Sequence, residues 1–130
     1  MATNNIGDYA ELIFTAECVK RGCIVSTPII QRPNYDCIVE TKKGIYKIQI
    51  KSTGVKADKY GNYKIRASRR SHGKLFAYYE VGEIDFMAFY IEELDGFFIV
   101  PYTEPQLSWR LGLKNKYSIY FDNFAFDFLI

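Results

Sequence analysis

Two acids, an amide and a lysine near one predicted hairpin have side chains suited to holding a divalent cation against a phosphate. They are Glu11, Asp36, Gln49 and Lys51. Asp36 opens the apolar run 37–39, and Gln49 and Lys51 alternate with isoleucines in the next run. Oxygen ligands on adjacent strands bind Mg²⁺, and a nearby lysine can act on water or on the phosphate. The pattern favours a metal-dependent phosphodiesterase, and in particular a nuclease.

Each of these residues has an expected role in hydrolysis. We expect Asp36 to bind the metal directly, with the Gln49 side-chain oxygen and the Ile50 main-chain carbonyl as further ligands. Glu11 would reach the metal from a helix, either directly or through water. Lys51 would position or polarise the attacking water, or stabilise charge in the transition state. Taken singly, each residue is also typical of an ordinary surface position, so the prediction depends on their combined order.

The register of the hairpin decides whether these side chains meet. Residues 35–40 and 45–52 are predicted as its strands, with Lys42 and Lys43 as a two-residue turn. Asp36 then faces Gln49, and alternation puts Asp36, Gln49 and Lys51 on one face of the sheet. A slip of one residue would separate Asp36 from Gln49. Because two lysines are not a preferred turn, a bulge remained an alternative.

Apolar spacing also predicts the surrounding elements. Residues 5–21 have helical spacing, with Asn4 or Asn5 as the N-cap and Gly22 as a left-handed terminator. Further strands are expected at 23–26, 63–66, 86–91 and 97–100, and a short helix within 103–112. We expect one domain over residues 1–130, because no linker or repeat interrupts the chain. The aromatic segments 86–98 and 117–130 are predicted either as core or as an oligomer surface.

Positive charge is concentrated in the middle of the chain. Residues 42–74 hold eleven Lys or Arg and a single acid, although the whole chain has a net charge of +2. Arginines and tyrosines interleave with the lysines, which favours a polyanion partner over a merely solvated loop. The candidate contacts to DNA are Arg32, Ser52, Lys56, Lys59, Tyr63, Lys64, Arg66, Arg69, Arg70 and Lys74.

Other functional classes are disfavoured by what the sequence lacks. There is no apolar run of about 18 residues, no secretory leader, and no phosphate-binding loop of the nucleotide hydrolases. Three cysteines without a Cys-x-x-Cys pair indicate reduced thiols, and hence a cytoplasmic protein without a membrane partner. One histidine (His72) without a serine or cysteine elbow argues against a nucleophilic triad.

The motifs resemble those of the PD-(D/E)XK nuclease superfamily. The resemblance covers about the first hundred residues and is carried by segments 7–11, 35–39 and 49–52, with 84–90 and 99–101 similar to the small resolvase-like members. It implies an α/β fold, a mixed β-sheet flanked by helices with a restriction-endonuclease-like αβββαβ core, in which 103–112 is the candidate second helix. It also implies that Glu11, Asp36, Gln49 and Lys51 form the active site and use Mg²⁺ or Mn²⁺.

The sequence departs from the family motif at two positions. Tyr35 replaces the proline before Asp36, and Gln49 replaces the second acid, which removes one negative charge from the metal site. The Gln-x-Lys variant is similar to that of an intron-encoded homing endonuclease of this superfamily. We therefore expect a sequence-specific endonuclease acting on double-stranded DNA as a homodimer or homotetramer. A Holliday junction resolvase and a catalytically inactive DNA-binding relative remained alternatives.

Overall fold

A computed structural model describes residues 1–30, 34–68 and 77–127 of the chain. No helix in these ranges is long and apolar enough to cross a membrane. The described elements are, in chain order, α1 (Thr3–Lys20), β1 (Ile24–Ser26), β2 (Cys37–Glu40), β3 (Ile45–Thr53), β4 (Asn62–Arg66), β5 (Phe86–Ile91), β6 (Gly96–Pro101) and β7 (Ser108–Gly112), with short 3₁₀ turns at Glu92–Leu94 and Ser118–Tyr120.

Helix α1 packs on the sheet through one apolar stripe with a spacing of four residues. The buried members of the stripe are Ile6, Ala10, Phe14 and Cys18. The predicted asparagine caps are wrong, because Ala2 occupies the N-cap position and its carbonyl accepts the first hydrogen bond, from Ile6 N–H. The predicted terminator is confirmed: Gly22 has φ +83°, a conformation that costs glycine little.

The main sheet is mixed and has the strand order β1-β2-β3-β5-β6. All its neighbours are antiparallel except β3 and β5, which run parallel. The predicted hairpin register is confirmed, with Ile38 opposite Lys47. Thr41 N–H donates to the Gly44 carbonyl at 2.8 Å, so the two lysines form the tip of the turn.

The sheet is covered on both faces by apolar side chains. Alternation sends Ile48 and Ile50 of β3 towards α1, together with Phe86, Ala88 and Tyr90 of β5. The intervening residues of β5, Met87 and Phe89, face a second cluster on the opposite side. Gln49 and Lys51 pair in register with Met87 and Phe89, so they belong to that second face.

The second face is covered by a two-stranded antiparallel sheet, which we call the β4–β7 ribbon. The helix predicted within 103–112 is wrong, because Ser108–Gly112 is strand β7. Trp109 and Leu111 alternate inward there, as a strand requires, and Trp109 contacts Phe89 at 4.9 Å between ring centroids. In the described ranges α1 is accordingly the single α-helix, although the mixed α/β class is confirmed.

The aromatic segments contribute to the core. Phe89 and Phe98 are fully buried, and so is Phe126 near the end of the described chain. The Phe126 ring stacks against Tyr46 at 6.0 Å and meets Phe14 of α1 edge-on at 6.4 Å. Packing of this kind stabilises a core beyond simple area burial. Of the two predictions for segments 86–98 and 117–130, the core is therefore the one confirmed for these residues.

Gly96 at the start of β6 is expected to tolerate no larger side chain. An added Cβ would lie 2.5 Å from Phe121 Cζ, and the Phe121 ring already packs against Phe98 at 5.0 Å. We expect Gly96→Ala to lower the free energy of unfolding by about 1–3 kcal/mol, measured by urea denaturation. The control is Gly7→Ala in α1, where the nearest atom would be 3.9 Å away, so stability should not fall. Equal losses in both variants would contradict this account.

Candidate active site

Asp36 is held at the entrance to β2 by two contacts with strand β3. Its backbone N–H donates to the Ile48 carbonyl at 2.8 Å. Its carboxylate oxygen Oδ2 accepts a hydrogen bond from Ile50 N–H at 2.7 Å. The side chain thus takes the place of a backbone partner where the β2–β3 pairing ends. This fixes the carboxylate against the edge of β3, and no described residue donates a hydrogen bond to its other oxygen, Oδ1.

The Ile50 carbonyl shares this edge. In an extended strand the N–H and C=O of one residue point to the same side, and Ile50 N–H points at Asp36. The carbonyl oxygen therefore lies just beyond the last paired residue of β2, next to the carboxylate. This position matches the expectation that Ile50 supplies a main-chain oxygen to the site.

A concavity of about 230 Å³ opens at this edge of the sheet. It brings Glu11 of α1 together with Asp36 and Ile50, which come from different elements. Thr15, one helical turn after Glu11, lies on the same wall. The other described residues that line it are Thr27, Pro28, Ile30, Tyr35 and Cys37.

Both carboxylates have raised pKa values, and the charge of Asp36 contributes to that of Glu11. Burial raises the pKa of Asp36, an effect that the Ile50 N–H and the Lys51 ammonium partly offset. Desolvation at the rim of the concavity raises the pKa of Glu11, and the negative charges of Asp36 and Asp8 add to it. Two carboxylates with raised pKa values are expected to attract a cation that would relieve their repulsion.

Lys51 lies on the face of the sheet opposite helix α1. Its side chain is half-buried beside Phe89, and its charge lowers the pKa of Asp36. Gln49 is only 8% exposed, because the β4–β7 ribbon side of the sheet is covered. It does not line the concavity, and no described residue hydrogen-bonds its side-chain amide. The structure therefore gathers Glu11, Asp36 and Ile50 around the concavity. Lys51 acts on Asp36 through its charge, and Gln49 is buried on the second face of the sheet.

The oxygen atoms around the concavity suit a hard cation that is bound partly by neutral ligands. In the described ranges no three His, Cys, Asp or Glu residues cluster closely enough to hold a metal. Asp36 and Glu11 supply two carboxylates, so a further ligand from the residues that line the concavity has to be a neutral oxygen such as the Ile50 carbonyl. Oxygen-only sites with few carboxylates and remaining water ligands are typical of Mg²⁺.

Two groups near Asp36 are absent from the sequence prediction. Burial, followed by the charge of Asp36, raises the pKa of Tyr79 to about 12, so its phenol remains protonated beside the carboxylate. Burial, followed by the charges of Asp36 and Glu11, raises the pKa of Cys37 to about 12, so its side chain is expected to remain a neutral thiol at neutral pH. No local pattern indicated Tyr79, because only the folded chain brings it near β2.

The predicted DNA contacts have several different environments. The prediction that Tyr63 contacts DNA is wrong. Its side chain is only 3% exposed in the core and its hydroxyl donates to Glu93 at 2.8 Å, so its ring is not available for stacking on bases. Ser52 is half-buried at the end of β3. The exposed predicted contacts are Lys56, Lys59, Lys64 and Arg66. The predicted contacts that lie outside the described residues are Arg32, Arg69, Arg70 and Lys74, and His72 also lies outside them.

Comparisons with known proteins identify the family and the fold. A family model described as PD-(D/E)XK endonuclease matches residues 1–116. The fold is similar to the solved structure of a bacterial homing endonuclease, I-Ssp6803I, with a TM-score of 0.72 and 25% identity. That similarity covers 94% of this chain and 90% of the other. A comparison with curated proteins finds no match. The family match extends over the concavity and over both strands of the β4–β7 ribbon.

Proposed function

This chain belongs to the PD-(D/E)XK endonuclease family, and from that premise we propose that it is a Mg²⁺- or Mn²⁺-dependent, sequence-specific endonuclease of the homing type that cleaves double-stranded DNA. The observation that carries the proposal is the Asp36 carboxylate, held by Ile50 N–H and facing Glu11 across one concavity. The printed description of I-Ssp6803I as a homing endonuclease supports the homing type.

In this proposal the residues hold the cation and the phosphate in one place. Asp36 is the direct ligand, the Ile50 carbonyl is a neutral ligand, and Glu11 binds directly or through water. The Gln49 amide oxygen would join them by turning from its buried position towards the concavity. A bound Mg²⁺ would supply charge neutralisation on the phosphate and acidify a water molecule. Because Gln49 is neutral, this site attracts the cation with one charge fewer than a site with a second acid on β3.

Lys51 acts on the Asp36 carboxylate through its charge. Its ammonium is close enough to lower the pKa of Asp36, so it keeps that carboxylate ionised for metal binding. The same charge is available to orient the attacking water or to stabilise the phosphorane-like transition state. No thiol or histidine is required, since the site works by positioning and electrostatics alone.

Cleavage of a duplex requires two such sites. One chain of 130 residues carries one concavity of this kind in its described ranges. We therefore propose a homodimer or homotetramer, whose symmetry would impose a near-palindromic target. We also propose a cytoplasmic location, which is supported by three unpaired cysteines, Cys18, Cys23 and Cys37.

The proposal is tested by cleavage of a labelled panel of long duplex, four-way junction and single strand, with Mg²⁺ or Mn²⁺ and with chelator. Discrete cuts in long duplex that require the metal and disappear in Asp36→Ala would support the hypothesis of a homing-type endonuclease. Cuts confined to the four-way junction would instead make the protein a resolvase. Binding without cleavage of any substrate, including duplex selected for tight binding, would favour the inactive DNA-binding alternative.

Binding of a divalent cation is expected to stabilise the protein only when the carboxylates are ionised. The raised pKa values of Asp36 and Glu11 mean that ionisation destabilises the metal-free fold as pH rises above about 4. A cation removes this penalty, so it should raise the Tm strongly at pH 7.5 and hardly at pH 4. At 100 times its Kd the gain is about 2.7 kcal/mol.

Thermal unfolding with Ca²⁺ or Mg²⁺ at both pH values measures this difference. Asp36→Ala is the control, because it removes the direct ligand and should abolish the shift at pH 7.5. An equal shift at pH 4, or a shift that persists in the variant, would contradict the assignment of the metal to this concavity.

A further inference from the structure

We propose that the β4–β7 ribbon enters the major groove of duplex DNA and reads base edges through Arg110 and Lys64, an inference that rests on the proposed function. The ribbon joins one strand of the basic segment to a strand from 108–112, a region predicted as a helix from the sequence. Arg110, Ser108 and Lys116 were therefore absent from the predicted contacts. A two-stranded antiparallel ribbon has the dimensions of a major-groove probe.

The ribbon separates its two faces by strict alternation. Tyr63 and Ile65 of β4, and Trp109 and Leu111 of β7, are buried against the main sheet. The residues between them are exposed. This outer face consists of Lys64, Arg66, Ser108 and Arg110. The two strands that anchor the ribbon in the core therefore also hold its exposed side chains in a fixed register.

The central outer pair combines two positive charges. Lys64 lies directly opposite Arg110 in the ribbon register. Like charges at opposing positions destabilise a sheet, and only one nearby acid, Asp58, offsets them among the described residues, with its Oδ2 at 3.8 Å from Arg110 Nε. Selection for stability alone would not favour this pair. A polyanion lying on the face would relieve the repulsion.

A wide open groove of about 1320 Å³ continues from this face. The described residues that line it include four bases and no acid, and the bases are Lys64, Arg66, Arg110 and Lys116. Its wall is built by hydrogen bonds: Asn115 Nδ2 donates to the Arg110 carbonyl at 2.9 Å, and Gln106 Nε2 donates to the Ser108 carbonyl at 2.8 Å. The groove thus combines positive charge with ordered amide side chains.

The ribbon lies on the same face of the sheet as the predicted catalytic lysine. Lys51 pairs in register with Phe89, and the Phe89 ring contacts Trp109, whose chain neighbour is Arg110. Sheets pack about 10 Å apart, so the outer face stands one layer above Lys51. The long arginine fork suits bidentate contact with guanine, whereas Lys116 at the rim suits a phosphate.

The test selects tight binders from a random duplex library with the full chain and no divalent cation. Wild type should enrich one sequence motif. Arg110→Ala should bind that motif about 10–100-fold more weakly and enrich a degenerate motif, with little change on random duplex. Lys116→Ala should weaken both duplexes alike and reduce the salt slope by about one. Lys42→Ala, at the far hairpin tip, is the matched control and should change neither.

Two further measurements keep the outcomes distinct. Arg110→Lys preserves the charge and should still lose the enriched position, while thermal unfolding shows whether each variant folds. Failure of wild type to enrich a motif, or an unchanged motif in folded Arg110→Ala and Lys64→Ala, would overturn the inference. Motif loss in those variants without any Mg²⁺-dependent cleavage by wild type would instead support the ribbon and overturn the proposed endonuclease.

Discussion

Asp36→Asn is expected to reduce DNA cleavage by about 10³-fold or more while leaving the fold at least as stable as wild type. The loss follows because the neutral amide binds a hard cation more weakly than the carboxylate that it replaces, and metal charge stabilisation supplies several kcal/mol of transition-state energy. Stability is retained because burial already disfavours the ionised carboxylate, as its raised pKa indicates. The amide oxygen can still accept the hydrogen bond from Ile50 N–H.

The test separates the two effects, because cleavage is expected to fall while the free energy of unfolding does not. Cleavage of the selected duplex with Mg²⁺ gives the rate, urea unfolding at neutral pH gives the stability, and binding without metal shows that the DNA site is intact. A variant that loses cleavage only because it unfolds would refute the account. So would one that keeps more than a tenth of the wild-type rate.

Lys51→Ala is expected to reduce cleavage by about 10²–10⁴-fold, the range of a positioned acid–base or electrostatic group. It should also change the pH profile. The Lys51 ammonium lowers the pKa of Asp36, so its removal raises that pKa. If the ionised carboxylate is the active form, the rising limb of the residual rate must move to higher pH.

The matched control is Lys47→Ala on the same strand. Lys47 has the same side-chain parity as Lys51, and its ammonium donates to the Gly82 carbonyl, away from Asp36. In this variant we expect a cleavage rate close to that of wild type and an unchanged position for the rising limb of the pH profile. A parallel loss in both variants would show that general positive charge on β3, and not the position of Lys51, accounts for the effect.

Local alternation was enough to predict the hairpin that carries the site. The strand register of the hairpin and the left-handed conformation of Gly22 were predicted, because each depends on neighbours within about ten residues of chain. The burial of Gln49 was not predicted, because β4 and β7, distant in sequence from Gln49, cover its face. Such coverage has no signal within β3 itself.

Two errors came from giving composition more weight than periodicity. Tyr63 was grouped with the lysines around it, although Tyr63 and Ile65 alternate with polar residues as a half-buried strand does. Trp109 and Leu111 show the same period of two, which the preceding Pro105 obscured by suggesting a helix start. Period-two alternation over five residues was present in both strands. It predicted the strand at 63–66 and would also have predicted β7. The pairing of these two strands, across 42 to 50 residues of chain, has no local signature.

Among the described residues, the β4–β7 ribbon shares no strand pairing with the main sheet; it is attached through side chains such as Trp109 on Phe89. Asp36, in contrast, depends on the backbone of β3 for its position. Under the two proposals above, target choice and bond cleavage therefore depend on different parts of one small chain. A library randomised at Lys64, Arg66, Ser108 and Arg110 would change neither core layer. Retargeting to new DNA sequences, by evolution or by selection in the laboratory, would then proceed without rebuilding the hydrolytic centre.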